Sequence, residues 1–176
     1  DMPAVETVAV HAFSDCTSLT AVYMPNVERV GNYAFHICTS LTAVDMPAVR
    51  IVGTNAFEAC TSLTTVHMRA VMAVSKSAFD MCTALTTMHM DAVTNVDWFA
   101  FLGCTSLTAV HMPAVQTVRH HAFKDCPALV FVDCPPAIAN DTSRFPDRPK
   151  AIDTWLAAAA AAMVGRVHPN LQRASL

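Results

Sequence analysis

The chain has 176 residues, of which 53% are hydrophobic and only 14% charged, and its formal net charge is −3. That balance excludes a general attraction for nucleic acid and supplies enough apolar material for a continuous core. The longest apolar stretch, residues 151–164, is 14 residues long and contains Asp153, which is too short to cross a bilayer.

The opening Asp1-Met2-Pro3-Ala4-Val5 matches Asp45-Met46-Pro47-Ala48-Val49, so the chain begins in the middle of a repeat. An N-terminal portion, with any targeting segment or cap, is therefore expected to be missing from this sequence. The run Ala12-Phe13-Ser14-Asp15-Cys16-Thr17-Ser18-Leu19-Thr20 then returns every 22 residues, with Cys16, Cys38, Cys60, Cys82, Cys104 and Cys126 marking the beat. A fixed period of this length predicts a solenoid of six coils. No coil can bury its apolar face alone, so stability must come from stacking neighbours.

Each apolar position becomes a ladder when the copies are aligned. Phe13, Phe35, Phe57, Phe79, Phe101 and Phe123 form a phenylalanine spine, always preceded by alanine where only a small side chain fits. Two valine ladders run from Val5 to Val115 and from Val8 to Val118. A methionine ladder runs from Met2 to Met112, and Cys134 takes its seventh place. The cysteine beat falls among these core ladders, and cysteine behaves as a small buried hydrophobe. We therefore expect six reduced, buried thiols. A catalytic Cys–His pair is not expected, although His36 lies near Cys38 and His120 and His121 near Cys126, because a nucleophilic thiol must be accessible and acidic.

The end of each repeat alternates. In Leu19-Thr20-Ala21-Val22-Tyr23-Met24, Val22 and Met24 point in and Tyr23 points out, the period of a strand. Stacked coils pair these strands into a parallel sheet, with Pro25, Pro47 and Pro113 closing strands because proline cannot donate to the ladder. The remainder of a coil is too short for a long helix, so short turns or a single helical turn are expected near the Ala-Phe pair.

After Asp133-Cys134-Pro135-Pro136 the beat fails, and Asn140 stands where a valine belongs. Residues 140–150 read as loop, punctuated by Pro136, Pro146 and Pro149. A helix fits from Pro149 or Ala151 to Val164, with Gly165 as its stop. Ile152, Trp155, Leu156 and Met163 share a face that suits a cap on the last coil; docking on a partner is the other use. The expected division is a solenoid over 1–136 and a loop with a capping helix over 137–176.

The strand pattern Leu-x-x-Val-x-Met resembles that of a leucine-rich repeat, and Ala-Phe-x-x-Cys-x-Ser-Leu-Thr is similar to the BspA-type (Treponema-type) subclass. The resemblance spans residues 1 to about 136. It departs in its 22-residue period, where 23 is commoner, and in methionine where isoleucine is frequent. It implies a curved right-handed solenoid with the parallel sheet on its concave face and short turns on its convex face. It also implies a non-enzymatic scaffold for protein binding or adhesion, without a cofactor, on a cell surface; an intracellular scaffold is the other setting considered.

Candidate functional residues lie where a ladder faces solvent. The outward strand position is occupied by Tyr23, Asp45, His67, His89, His111 and Asp133. On a concave sheet this row is the expected contact stripe for a protein or glycan partner. Histidines on adjacent parallel strands sit about 5 Å apart, but a straight row closes poorly around a tetrahedral metal, so no metal is expected. Threonine ladders (Thr17 to Thr105 and Thr20 to Thr108) suit turn chemistry, with ordered water and ice binding a remote alternative. Trp98-Phe99 and His120-His121 interrupt the repeat away from the sheet and form a possible contact patch, and Asn140-Asp141-Thr142 is a formal glycosylation sequon that matters only in a secreted protein. Besides a binding module, a structural subunit docking by its edge or C-terminal helix fits the same sequence.

Overall fold

The structure is a computed structural model that describes residues 5–139 and 144–145. The capping helix expected near 151–164, the sequon at Asn140, and Met2 of the methionine ladder lie outside the described residues.

The chain is a parallel β-solenoid with the expected 22-residue advance per coil. Each coil contributes a two-residue strand followed by a three-residue strand. The two-residue strands are β1 (Thr7–Val8), β3 (Arg29–Val30), β5 (Ile51–Val52), β7 (Ala73–Val74), β9 (Asn95–Val96) and β11 (Thr117–Val118). The three-residue strands are β2 (Ala21–Tyr23), β4 (Ala43–Asp45), β6 (Thr65–His67), β8 (Thr87–His89), β10 (Ala109–His111) and β12 (Phe131–Asp133), and a short helix, α1 (Pro136–Ala139), follows. The three-residue strands are those predicted from the alternation: Val22, Val44, Val66, Met88, Val110 and Val132 are buried between exposed or half-buried neighbours. The two-residue strands pair into a second sheet of six, in the order β1-β3-β5-β7-β9-β11. Sequence reading treated their valines, Val8 to Val118, as a core ladder only, because two residues are too few to show a period.

The predicted ladders form one core. From Phe13 to Phe123 the rings stack in parallel, with centroids 5.0–5.3 Å apart and planes within 5°. Leu41, Leu63, Leu85 and Leu107 are fully buried, as are Ala34, Ala56, Ala78, Ala100 and Ala122 beside the phenylalanines, while Ala12 of the first coil is exposed. The spine does not stop where the beat was read as failing. Phe145, 22 residues beyond Phe123, stacks on it at 5.2 Å, and Ile138 of α1 is also buried in this core.

The cysteines show why a thiol suits its place. Cys38 Sγ donates to the Phe13 carbonyl at 3.1 Å, and Cys60, Cys82, Cys104 and Cys126 repeat the bond to Phe35, Phe57, Phe79 and Phe101 at 3.1–3.2 Å. A small apolar group fills the core while its weak donor bridges to the preceding coil. Among the described residues no disulfide joins any of the seven cysteines. Five of the six on the beat are buried; Cys16 is only half-buried, since among the described residues no coil covers the outer side of the first.

The turn around each Ala-Phe pair is built on left-handed residues. His11, Tyr33, Asn55, Ser77, Phe99 and His121 form one ladder of positive φ, and Asp15, Ile37, Ala59, Met81, Gly103 and Asp125 form another. Between them the backbone N–H groups alternate. In the second coil Ala34, His36 and Cys38 bond three residues back, while Tyr33, Phe35 and Ile37 bond to Thr54, Ala56 and Glu58 of the next coil. Half the donors close the turn and half join coils, which leaves none of these six N–H groups without a partner.

Candidate functional site: the outward row of the three-residue strands

The outward row is arranged in register. Tyr23 pairs with Asp45 and Asp45 with His67; His89 pairs with His111 and His111 with Asp133. Tyr23 is 72% exposed, His67 and His89 are exposed, and Asp45, His111 and Asp133 are half-buried. Alternation along each strand puts these side chains on one face, because the inward valine or methionine is held by the core.

The row is not continuous. The three-residue strands form two sheets, β2-β4-β6 and β8-β10-β12, with no pairing between β6 and β8. The expectation of three histidines on adjacent paired strands therefore holds only for His89 and His111, whose rings lie 6.1 Å apart. His67 stands across a break, which coincides with the one position where the inward valine becomes the longer Met88.

Charge differs across the row as well. His111 Nδ1 lies 2.5 Å from Asp133 Oδ2, and its Nε2 lies 3.1 Å from Asp91 Oδ1. Asp91 was not among the predicted site residues; it occupies the place where other coils have proline. Among the described residues, no group of three or more histidine, cysteine or acidic side chains has the arrangement to hold a metal ion.

The threonine ladders follow the turn chemistry expected of them. Thr42, Thr64 and Thr108 each donate a hydroxyl to the threonine carbonyl one coil earlier, at 2.9–3.1 Å. Their protons are thus used between coils, which weighs against an array presented to ordered water. On the turn side, Trp98 faces His120 at 5.8 Å and Phe99 faces His121 at 5.7 Å, so the predicted aromatic patch is brought together across neighbouring coils.

The buried thiols are held as thiols. Burial pushes Cys38 up to about 11 and Cys60 up to about 12, and holds Cys82 and Cys104 well above the usual thiol range. That is the opposite of what a nucleophilic cysteine needs. Cys38 has His36 two residues before it, but the His36 ring lies 3.6 Å from Glu58, which accepts a bond from Asn55. Next in this ladder stands Asp80, with burial and the Glu58 charge raising it to about 6; its Oδ1 is buried without a hydrogen-bond partner.

These features agree with what the chain is similar to. The family model for the BspA type leucine rich repeat region matches residues 6–130 in six copies, and the chain belongs to that family. A leucine-rich repeat protein of Treponema pallidum has a similar structure, with a TM-score of 0.72 and 24% identity over 86% of this chain and 75% of that one. A leucine-rich cell surface protein of Faecalibacterium prausnitzii aligns at TM-score 0.58 and 26% identity over 74% of this chain and 43% of that one. A leucine-rich repeat protein of Bacteroides ovatus aligns at TM-score 0.66 and 24% identity, over 72% of this chain and 34% of that one. The chain thus spans less than half the length of the latter two. No curated protein matches the sequence.

Proposed function

We propose that the chain is a non-enzymatic binding module that holds a protein partner on the face carrying Tyr23, Asp45, His67, His89, His111 and Asp133. One observation carries this reading. These six side chains are the ionisable members of the three-residue strands, and all of them face outward, in register within each of the two sheets, while the inward positions are almost all valine and the other outward positions are alanine, threonine or phenylalanine. A solenoid uses such a face because the coils beneath it are rigid and the side chains above it are free to vary. The raised thiols support a scaffold over a cysteine catalyst. The cell-surface description of the F. prausnitzii relative favours an adhesive setting, in which the partner is a protein on another surface.

The test is a comparison of cross-linked partners. The wild type, a variant with His67, His89 and His111 changed to alanine, and a control with Glu28→Ala and Arg50→Ala, just before β3 and β5 of the other sheet, are each incubated with cell-surface extract. A partner retained by the wild type and control but lost by the histidine variant supports the stripe. Equal retention by all three removes it.

A further inference from the structure

The break between β6 and β8 is a built feature of the fold. Everywhere else along this face the coils are tied by the same backbone bonds. Met24, Met46, Met90 and Met112 donate to Asp45, His67, His111 and Asp133 of the next coil at 2.8–3.0 Å. Thr42, Thr64, Thr108 and Val130 donate to the preceding coil at 2.8–3.0 Å. At the junction of β6 and β8 both bonds are absent: the Met68 amide does not reach His89, nor the Thr86 amide Thr64. The Thr87 amide also makes no bond to the preceding coil, as Ala43 does not in the paired β2–β4 step, whereas Thr65, Ala109 and Phe131 do. The threonine hydroxyl bond fails at the same place, since Thr86 does not repeat what Thr42, Thr64 and Thr108 do.

The opening is confined to this face. On the other sheet β5 pairs with β7, and at the turns Phe57 donates to Ala78 at 2.8 Å and stacks on Phe79 at 5.2 Å. At this junction Met88 replaces the valine of the inward ladder and is buried, while on its other side it pairs with Val110 in the usual register. Val66, across the break, is 9% exposed, where Val44 and Val110 are 1% and 0%.

Other departures from the repeat gather at the same junction. The strand-closing proline of Pro25, Pro47, Pro113 and Pro135 becomes Arg69 and Asp91 in the two coils that flank the break. The strand-opening alanine of Ala21, Ala43 and Ala109 becomes Thr65 and Thr87. Two adjoining hollows of about 270 and 280 Å³ lie in the break. Their lining brings together His67, His89, Arg69 and four threonines, with no acidic side chain. The nearest acids are Asp91, which lies against His111, and Asp45, the register partner of His67 on the paired side of β6. No ion pair joins Arg69, His67 or His89 to any described residue.

We propose that this break is a recognition cleft for an acidic side chain of a peptide segment on the protein partner. The guanidinium of Arg69 and the ring N–H groups of His67 and His89 converge with the unpaired amides of Met68, Thr86 and Thr87. A carboxylate accepts from such a set, bidentate at arginine. The unpaired carbonyls of Thr64 and His89 fit a peptide better than a bare anion, because the peptide brings N–H donors of its own. The cleft rests on the reading of this face as the binding face, and it names what that face takes.

The test has two arms. In the first, hydrogen exchange of the intact chain reads the amides of Met68, Thr86 and Thr87 against Met46, Thr64 and Thr108. Fast exchange only at the first three supports the break, and Met88→Val, which restores the common residue, protects them. Protection of these amides in the wild type overturns the cleft. In the second arm, fluorescent oligoglutamate, oligoglutamine and oligolysine peptides are titrated at low salt. Oligoglutamate binds preferentially, and Arg69→Ala and Met88→Val each weaken it about tenfold, while Arg50→Ala does not. Equal binding of the three peptides, or tighter binding of a single-stranded oligonucleotide, overturns the assignment. If Arg69→Ala and Met88→Val leave oligoglutamate binding unchanged but the histidine variant still loses its cross-linked partner, the cleft falls and the stripe stands.

Discussion

The two sides of this solenoid handle the same 22-residue repeat differently. On the turn side and along the two-residue strands, pairing is unbroken from the first coil to the last, and every inward residue of that second sheet, Val8 to Val118, is valine. On the side of the three-residue strands a single valine has become Met88, and the sheet divides there. The division coincides with that larger residue, although β8 keeps its pairing with β10 on the other side of it. The opposite edge stays closed because its own ladders fit. Continuity is therefore local to each ladder.

The strongest way to break this contrast is to remove the closed side at the same junction. Phe79 stacks between Phe57 and Phe101, and its amide and carbonyl both serve bonds between coils. Phe79→Ala is expected to cost about 3–5 kcal/mol, the usual range for a buried phenylalanine. With the strand side already unpaired, coils three and four are then joined only by the β5–β7 pairing and the backbone bonds of the turn. Unfolding in urea is expected to split into two transitions, with protease cleavage at the junction. Phe35→Ala, placed where both edges are paired, is expected to lower stability in a single transition. Two transitions for both variants, or one for both, would show that the break does not weaken the junction.

Asp80 sharpens the contrast from the turn side, because it sits one residue past the spine at the same coil. Its carboxyl is raised to about 6 by burial and by the neighbouring charge of Glu58, against an ordinary value of 3.8. A carboxyl raised on folding favours the protonated native state, so the fold gains stability as pH falls through 6 and the full gain is present below the ordinary value. Above pH 6 the ionised group opposes folding. Asp80→Asn is expected to stabilise the protein at pH 7.5 by about 1 kcal/mol, allowing for its half-exposure to solvent. The advantage shrinks to nothing below pH 4. Thermal melts of both proteins from pH 3.5 to 8 check this, and an advantage that grows toward acid refutes it.

Sequence reading recovered the ladders because each residue type recurs at one interval, and recurrence needs no geometry. Phe145 obeys the same interval from Phe123 and was missed because its neighbours do not: Asn140 stands where valine belongs and Arg144 where alanine belongs. The outward row was legible from alternation alone, as far as which residues face out. Its division was not, since Met88 reads as one more apolar residue until its volume is set against a fixed coil spacing. Asp91 escaped notice for a related reason. It replaces a proline whose role was to end a strand, and only the fold places its carboxylate against the His111 ring.

The left-handed ladders were the least legible feature, and they give the smallest effect. The first is occupied by His11, Tyr33, Asn55, Ser77, Phe99 and His121, which range from aromatic rings to an amide and a hydroxyl. The backbone geometry is imposed by the alternation of turn and inter-coil bonds, and the side chains accept it. For a β-branched residue the acceptance is costly, because its Cβ substituents crowd the backbone at positive φ. Ile37 sits at φ 57°, while the fifth coil fills the equivalent place with Gly103 at φ 66°. Ile37→Gly is expected to raise stability by roughly 0.5–1 kcal/mol, the relief of strain exceeding the greater freedom of glycine when unfolded. The inter-coil bond from its amide to Glu58 is kept, so the closed side of the solenoid should be unchanged in its exchange pattern. Met88→Val acts on the other side and should add to it, since the two positions share no ladder and changes at independent sites sum. A double variant that falls well short of the sum would mean that the two edges are coupled through the core, and that the coils do not hold their two sides independently.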